Sequence, residues 1–378
     1  MTVTTRRPPT RRVTRAARPT RALPPPVLVE VRRDRIVESR HRGHVVQVAA
    51  DGRVERGFGD PDVEVTLRSA VKPFALVALI ESGAADDLRL SHTELAVMTG
   101  SHTGQDMHVR TLQAVFRRAG VSQSLLLCGS VGMPIDQVTA ARLARDGEAA
   151  GPIRHMCSGF HAASLLLSRF AGWSLTDYDE PDHPSQVAVR SAVARVFGVR
   201  PADLVMAVDD CGLATYAFPL VEIARAFALL ADPHGAANDT TRAKLAPTLA
   251  RIRDAMLTAP EMVGGSGEVL DTKLMRTRAG RLVAKGGAEG LRGVGLLPGA
   301  RGEGSAAAGL AVRIEDGDGF ARASRAATVE ALSQLGALDD RDLRALAAQH
   351  HPTKRSPSGV PIAEVVPTFQ LAPISELL

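Results

Sequence analysis

Strand-like patterning at both ends of the chain, with a long helical stretch between them, most constrains what this sequence can fold into. Residues 27–31 alternate apolar and polar side chains, and residues 45–49 are β-branched, with Asp51-Gly52 as a hairpin turn after them. From Ser69 to about Leu257 the period changes. Ser91-His92-Thr93-Glu94 has the form of a capping box. Residues 105–119, 137–149, 184–198, 219–231 and 240–258 carry apolar positions at three- and four-residue spacing, as amphipathic helices do. Short β-like pieces at 125–128 and 204–208 interrupt them. Strand patterns return at 281–284 and 307–314, followed by helices at about 318–335 and 339–349. Early and late strands are therefore expected in one antiparallel sheet, built from 27–68 and 262–349, with the helical region 69–261 inserted. This is an α/β fold: a sheet flanked by helices, a large helical subdomain, and a cleft where the two meet. One catalytic domain is expected over 27–349.

The first 26 residues do not belong to that pattern. Seven arginines (Arg6, Arg7, Arg11, Arg12, Arg15, Arg18, Arg21) precede the first acid, Glu30; removing seven charges from the net +5 leaves −2 for the body. The segment reads as a disordered Arg/Pro-rich arm. Nucleic acid or acidic lipid is the electrostatic alternative for the arm, and neither is expected as a partner of the body. Arg6-Arg7 is not followed by an apolar run of the kind a secretory signal has. Cys128, Cys157 and Cys211 are too few and too widely spaced for a disulfide framework. Both features point to the cytoplasm. No run approaches the ~18 apolar residues of a membrane span. The proline-rich tail, 350–378, is expected to be loosely attached.

The basic residues are almost all arginine. Only Lys72, Lys244, Lys273, Lys285 and Lys354 stand against 41 arginines. Arginine does not give up its proton in a protein, whereas a desolvated lysine can act as a base. Lys72 lies in Ser69-Ala70-Val71-Lys72 at the start of the helical pattern, where hydroxyl and amine share a face and free N–H groups stabilise developing negative charge. Ser-x-x-Lys alone is weak, arising by chance in roughly one such chain in four. Its context is more specific. Ser101-His102-Thr103 follows at a helix end, and Lys285-Gly286-Gly287 closes a strand. Taken singly, a solvated helix-start lysine and a strand-end cation would account for Lys72 and Lys285. The order of the three elements is that of penicillin-binding proteins and β-lactamases. In such chemistry a serine attacks, a lysine takes its proton, and a second Ser-Lys pair passes a proton to the leaving group. The N–H of Ser69 and one on the Lys285 strand are expected as the oxyanion hole.

Around these motifs the text resembles the bacterial type II asparaginases of the rhizobial kind, a family with a β-lactamase-like fold. The matching stretches are Glu38-Ser39-Arg40-His41, Arg68 to Pro73, Gly100-Ser101-His102-Thr103-Gly104 with His108, and His155-Met156-Cys157-Ser158-Gly159 with His161-Ala162-Ala163. Asp209-Asp210-Cys211-Gly212, Asp271-Thr272-Lys273-Leu274-Met275 and Lys285-Gly286-Gly287-Ala288-Glu289-Gly290 complete the set. The resemblance implies hydrolysis of the side-chain amide of asparagine by tandem Ser-Lys pairs, Ser69 with Lys72 and Ser101 with Lys285. It places Arg68, His102, Asp209, Gly286 and Glu289 on the substrate side. It also implies a homodimer, and a zinc held by two cysteines, here Cys157 and Cys211, and a lysine. Three positions depart from the family. Phe160 stands where the zinc-binding lysine is expected, the histidine expected after Cys128-Gly129 is absent, and Gln105 replaces an acid. No cofactor is therefore expected to be required, and zinc binding is expected to be weak or absent.

The leading expectation is an amide hydrolase with asparagine as substrate. A diverged paralogue acting on another amide, ester or lactam is the alternative, since both Ser-Lys pairs are kept while polar groups around them are lost. A D,D-peptidase would need an export signal. A non-catalytic, substrate-binding relic would have lost Ser69 or a lysine first.

Overall fold

The computed structural model describes residues 24–130, 132, 134–236, 240–318 and 322–373. Most of the expected arm, residues 1–23, lies outside them. Twelve strands are described: β1 Val27–Arg33, β2 Ile36–Ala49, β3 Val54–Phe58, β4 Glu64–Thr66, β5 Val205–Val208, β6 Ala214–Pro219, β7 Leu282–Gly286, β8 Leu291–Leu296, β9 Ala308–Ile314, β10 Thr353–Arg355, β11 Pro361–Pro367 and β12 Ala372–Pro373. The main sheet runs β10-β11-β1-β2-β9-β8-β7, antiparallel at each pairing, with β3 and β12 continuing from β2. A smaller sheet, β4-β6-β5, lies apart from it. Early and late strands thus pair directly, β2 with β9, as the patterning implies, and β1 pairs with β11, a strand of the tail that the patterning does not mark.

Both faces of the main sheet are covered, and the small residues of β8 and β9 decide how closely. Along β9, Leu310 and Val312 enter a core shared with helix Ala323–Gln334, whereas Ala311 enters the core of helix Leu220–Ala231. On that second face the strands present glycine. A Cβ on Gly309 would lie 1.9 Å from the Ala224 carbonyl oxygen, and one on Gly293 1.9 Å from the Phe227 ring. The helix backbone therefore rests on the strand backbone, an approach that only glycine allows.

Helices Asp106–Ala119, Gln137–Asp146, Pro184–Phe197 and Thr240–Thr258 form where the periodicity puts them. Ser91 and Glu94 make the reciprocal capping box of helix His92–Thr99. Helix Ser158–Ala171 has no counterpart in the sequence reading. Residues 158–168 are all buried, so even the polar positions Ser158, His161, Ser164 and Ser168 form no solvent-facing side. Residues 125–128 form no strand; a 3₁₀ turn, Gln123–Leu125, leads into them. The tail is the main correction. Instead of hanging loosely, β11 pairs with β1, β12 pairs with β3, and Phe369 and Leu371 are buried beneath helix Ala323–Gln334.

Candidate active site

Three pieces of backbone meet at Ser69. β6 supplies the first: Leu67 N–H donates to the Tyr216 carbonyl, and Arg68 N–H donates to Thr215 Oγ1 at 2.9 Å. β7 supplies the second, because a Cβ on Gly287 would lie 2.4 Å from the Leu67 carbonyl oxygen. The third is the 3₁₀ turn Arg68–Val71, which leads into helix Lys72–Ala75. Arg68 has φ +48°, a left-handed conformation that costs a non-glycine residue of order 1–3 kcal/mol. Its guanidinium holds the turn in place, bonding Asp209 at 2.6 Å and also Asp210, in the loop after β5.

Beneath Ser69 lies a buried chain of polar groups. Lys72, 1% exposed, donates to the Gly100 carbonyl at 2.8 Å, Ser101 Oγ at 3.1 Å and Cys157 Sγ at 3.2 Å. Three acceptors match the three N–H groups of an ammonium. Lys285, also 1% exposed, reaches the same hydroxyl from the opposite side, at 3.0 Å, and its own neighbour's carbonyl, Gly286 O, at 2.7 Å. Ser101 is held between them because its N–H donates to Val263 O, and Gly100 packs against the Met262 and Val263 carbonyls with no room for a Cβ. Burial pulls the Lys285 amine down to about 7; Asp271 opposes that shift, and Lys72 and Arg292 add to it. A hydroxyl has one hydrogen to give. It can accept from Lys72 and donate to Lys285 only when Lys285 is the neutral amine.

All four expected catalytic side chains therefore lie in one region, but with a different pairing. No hydrogen bond joins Ser69 to Lys72; Lys72 serves Ser101. Ser69 is half-buried at the surface end of the cluster. Among the described residues no partner is formed by the N–H of Ser69 or of Ala288, the first outward-facing N–H of the β7 edge after Gly286. Gly286, expected on the substrate side, has its N–H bound to Asp271 and its oxygen bound to Lys285. His102 is fully buried. Its Nδ1 accepts from Gly104 N–H, and its Nε2 faces Ser158 Oγ at 2.9 Å. Burial holds it well below the ordinary histidine range, so it is a neutral ring bracing the 101–104 segment. Glu289 is exposed, with φ +58°, in the turn between β7 and β8. Asp271 and Arg292 were given no role from sequence. The Asp271 stretch stood among the matching motifs, and Arg292 lies in a glycine-rich run that shows no pattern.

Cys157 and Cys211 are neighbours, as the resemblance implies. A hydrogen bond from Cys211, with the charge of Lys72, holds the Cys157 thiol well below its usual range; the same bond and burial push Cys211 up. A zinc does not fit here. The Phe160 ring stands 5.9 Å from Lys72 Nζ where a donor would be needed. His155 Nδ1 accepts from Cys157 N–H, and His161 Nδ1 is bound to Tyr178. Among the described residues no three of His, Cys, Asp and Glu converge on one point. Tetrahedral zinc wants four donors. Protein purified without chelator is accordingly expected to carry well under one zinc per chain by metal analysis. Phe160→Lys is expected to raise zinc affinity by at least ~10–100-fold, the scale on which a lost supporting contact lowers it. One tightly held zinc per wild-type chain would refute this.

The chain matches the family model described as L-asparaginase II over residues 29–367, and it belongs to that family. It is a hydrolase of amide C–N bonds. No curated protein matches it by sequence. Among solved structures, a probable glutaminase from Bacillus subtilis, complexed with 6-diazo-5-oxo-L-norleucine, is similar at 12% identity over 78% of this chain and 84% of that one, with a TM-score of 0.38. The structure of a protein called Mglu is similar at 15% identity over 80% of this chain and 69% of that one, with a TM-score of 0.36. At such scores these likenesses add nothing to the family match. No described helix is long and apolar enough to cross a membrane.

Proposed function

We propose that the protein is a serine-dependent asparaginase that converts asparagine to aspartate and ammonia in the cytoplasm, as a homodimer, on a β-lactamase-like scaffold with an inserted helical subdomain. The observation that carries the reading is Ser101 Oγ bridging two buried lysines, with Ser69 above them at a helix start. Ser69 Oγ attacks the amide carbon, and its proton passes to Lys72 as Lys72 passes one through Ser101 to the neutral Lys285. The oxyanion forms between the N–H groups of Ser69 and Ala288. Ser101 then protonates the departing nitrogen and takes back a proton from Lys285, ammonia leaves, and water hydrolyses the acyl-enzyme by the reverse route. On this reading Arg68 and Asp209, paired with each other at 2.6 Å beside Ser69, are the groups that meet the carboxylate and ammonium of the amino acid. Glu289 stands further out at the rim.

Phe160 favours a second reading, a paralogue with a different amide, ester or lactam substrate, because an apolar ring occupies the floor beside Lys72. Ammonia release from asparagine, glutamine and dipeptide amides separates the two. Turnover of asparagine well above the others supports the proposal. No ammonia from any of them, with hydrolysis of esters or lactams, supports the second reading. Binding without turnover of any of these would leave only the relic.

A further inference from the structure

We propose that Asp271 and Arg292 act as one positioning unit for Lys285, the carboxylate fastening the strand end that carries the lysine and the guanidinium taking up part of the carboxylate's charge. This rests on the role given above to Lys285 as proton acceptor. β7 is the edge of the main sheet, so the outward N–H of Gly286 has no strand to pair with. A buried N–H needs an acceptor. Asp271, 5% exposed near the start of helix Leu270–Thr277, supplies it through Oδ2 at 2.9 Å. The same oxygen lies 4.0 Å from Lys285 Nζ.

Fastening the strand requires only an oxygen, which an asparagine could provide; the charge needs a separate reason. A lone buried carboxylate at that distance would hold the lysine as a permanent ammonium and abolish its use as an acceptor. Arg292 prevents this. It is 3% exposed, sits on β8 directly opposite Gly286, and bonds Asp271 Oδ1. The charged and titratable groups facing Lys285 are Asp271, Lys72, Arg292 and Cys157, of which Asp271 and Cys157 favour its charged form and Lys72 and Arg292 oppose it. The carboxylate is thus shared between Lys285 and Arg292, with Arg325 also within its electrostatic reach, and Lys285 stays against Ser101 while free to lose its proton.

The chain has only five lysines, so lysine labelled at carbon and nitrogen gives few enough NMR signals to follow singly, with Lys285→Met identifying the one of interest. Removing the competitor in Arg292→Met should raise the Lys285 midpoint by about one unit or more, and removing the carboxylate charge in Asp271→Asn should lower it. Arg292→Lys should leave it near wild type. In each folded variant the acid limb of kcat/KM for asparagine should move with the midpoint. A purely structural role would shift neither. The proposal fails if the midpoint stays put, or if both variants move it the same way, in protein with wild-type circular dichroism. Should Arg292→Met not fold, Asp271→Asn against Arg292→Lys decides: an unmoved or raised midpoint in Asp271→Asn overturns the proposal. The titration needs no substrate. Opposite shifts in a chain that releases ammonia from no amide would therefore sink the asparaginase reading and leave the positioning unit standing.

Discussion

Ser69→Ala is expected to lower kcat for asparagine by roughly three orders of magnitude or more, the usual consequence of removing a nucleophile. The fold should be indifferent to the change. Ser69 is half-buried and its hydroxyl holds no neighbour, so stability is expected to move by no more than about 0.5 kcal/mol. Steady-state kinetics beside a thermal melt checks both halves. Ser101→Ala is the informative partner. Ser101 binds both lysines, and as the link in the proton path it should also lose most of its turnover, while Ser69 can still be acylated slowly. Mass spectrometry after acid quenching of turnover with asparagine should find the acyl group on the peptide containing Ser69. An acyl group on Ser101, with turnover surviving in Ser69→Ala, would make Ser101 the nucleophile. The wild-type profile carries the same chemistry. Lys285 must be neutral to accept a proton, so with its midpoint pulled down to about 7 the rate should rise through that pH and fall below it.

The largest effect on stability is expected from Gly309→Ala. The new methyl would lie 1.9 Å from the Ala224 carbonyl oxygen and 2.6 Å from the Ala228 nitrogen, both backbone atoms of the helix that covers β8 and β9. No rotamer can relieve a clash between two main chains. The helix must lift from the sheet, and the cost should exceed the ~1–3 kcal/mol of ordinary overpacking. Gly293→Ala makes an equally close contact, but with the Phe227 ring, which can turn aside in part. It should therefore destabilise less. Urea unfolding of the two variants tests the order; equal losses would show that the helix, not the ring, yields in both.

Much of this architecture was legible in the sequence because it is written in local patterns. The amphipathic helices, the Ser91 capping box, and the strands at both ends follow from side-chain periods that any partner face would impose. The candidate catalytic side chains stand out for a different reason. With arginine filling nearly every other basic position, Lys72 and Lys285 were two of only five lysines, and each lay beside a serine or glycine motif. What resisted reading was whatever is buried on all sides or built from glycine. Helix 158–171 turns no side to solvent over residues 158–168, and β8 looks like a loop because Gly293 and Gly295 exist to admit Phe227 and its helix. The tail reads as unattached because prolines bound its strand β11, and the partner that orders it, β1, lies some 330 residues away in the chain.

The sequence by itself determined which candidate groups the chain offers: a helix-start serine, two of its five lysines, and a second serine. Only the tertiary structure decided which of them touch. Lys72 faces Ser101 and Cys157 rather than Ser69, and Lys285 shares its carboxylate with Arg292. Proton affinity in a buried site is set by the charges and acceptors that chain folding brings within a few ångströms, and by the water it removes. Neither is a property of spacing along the chain.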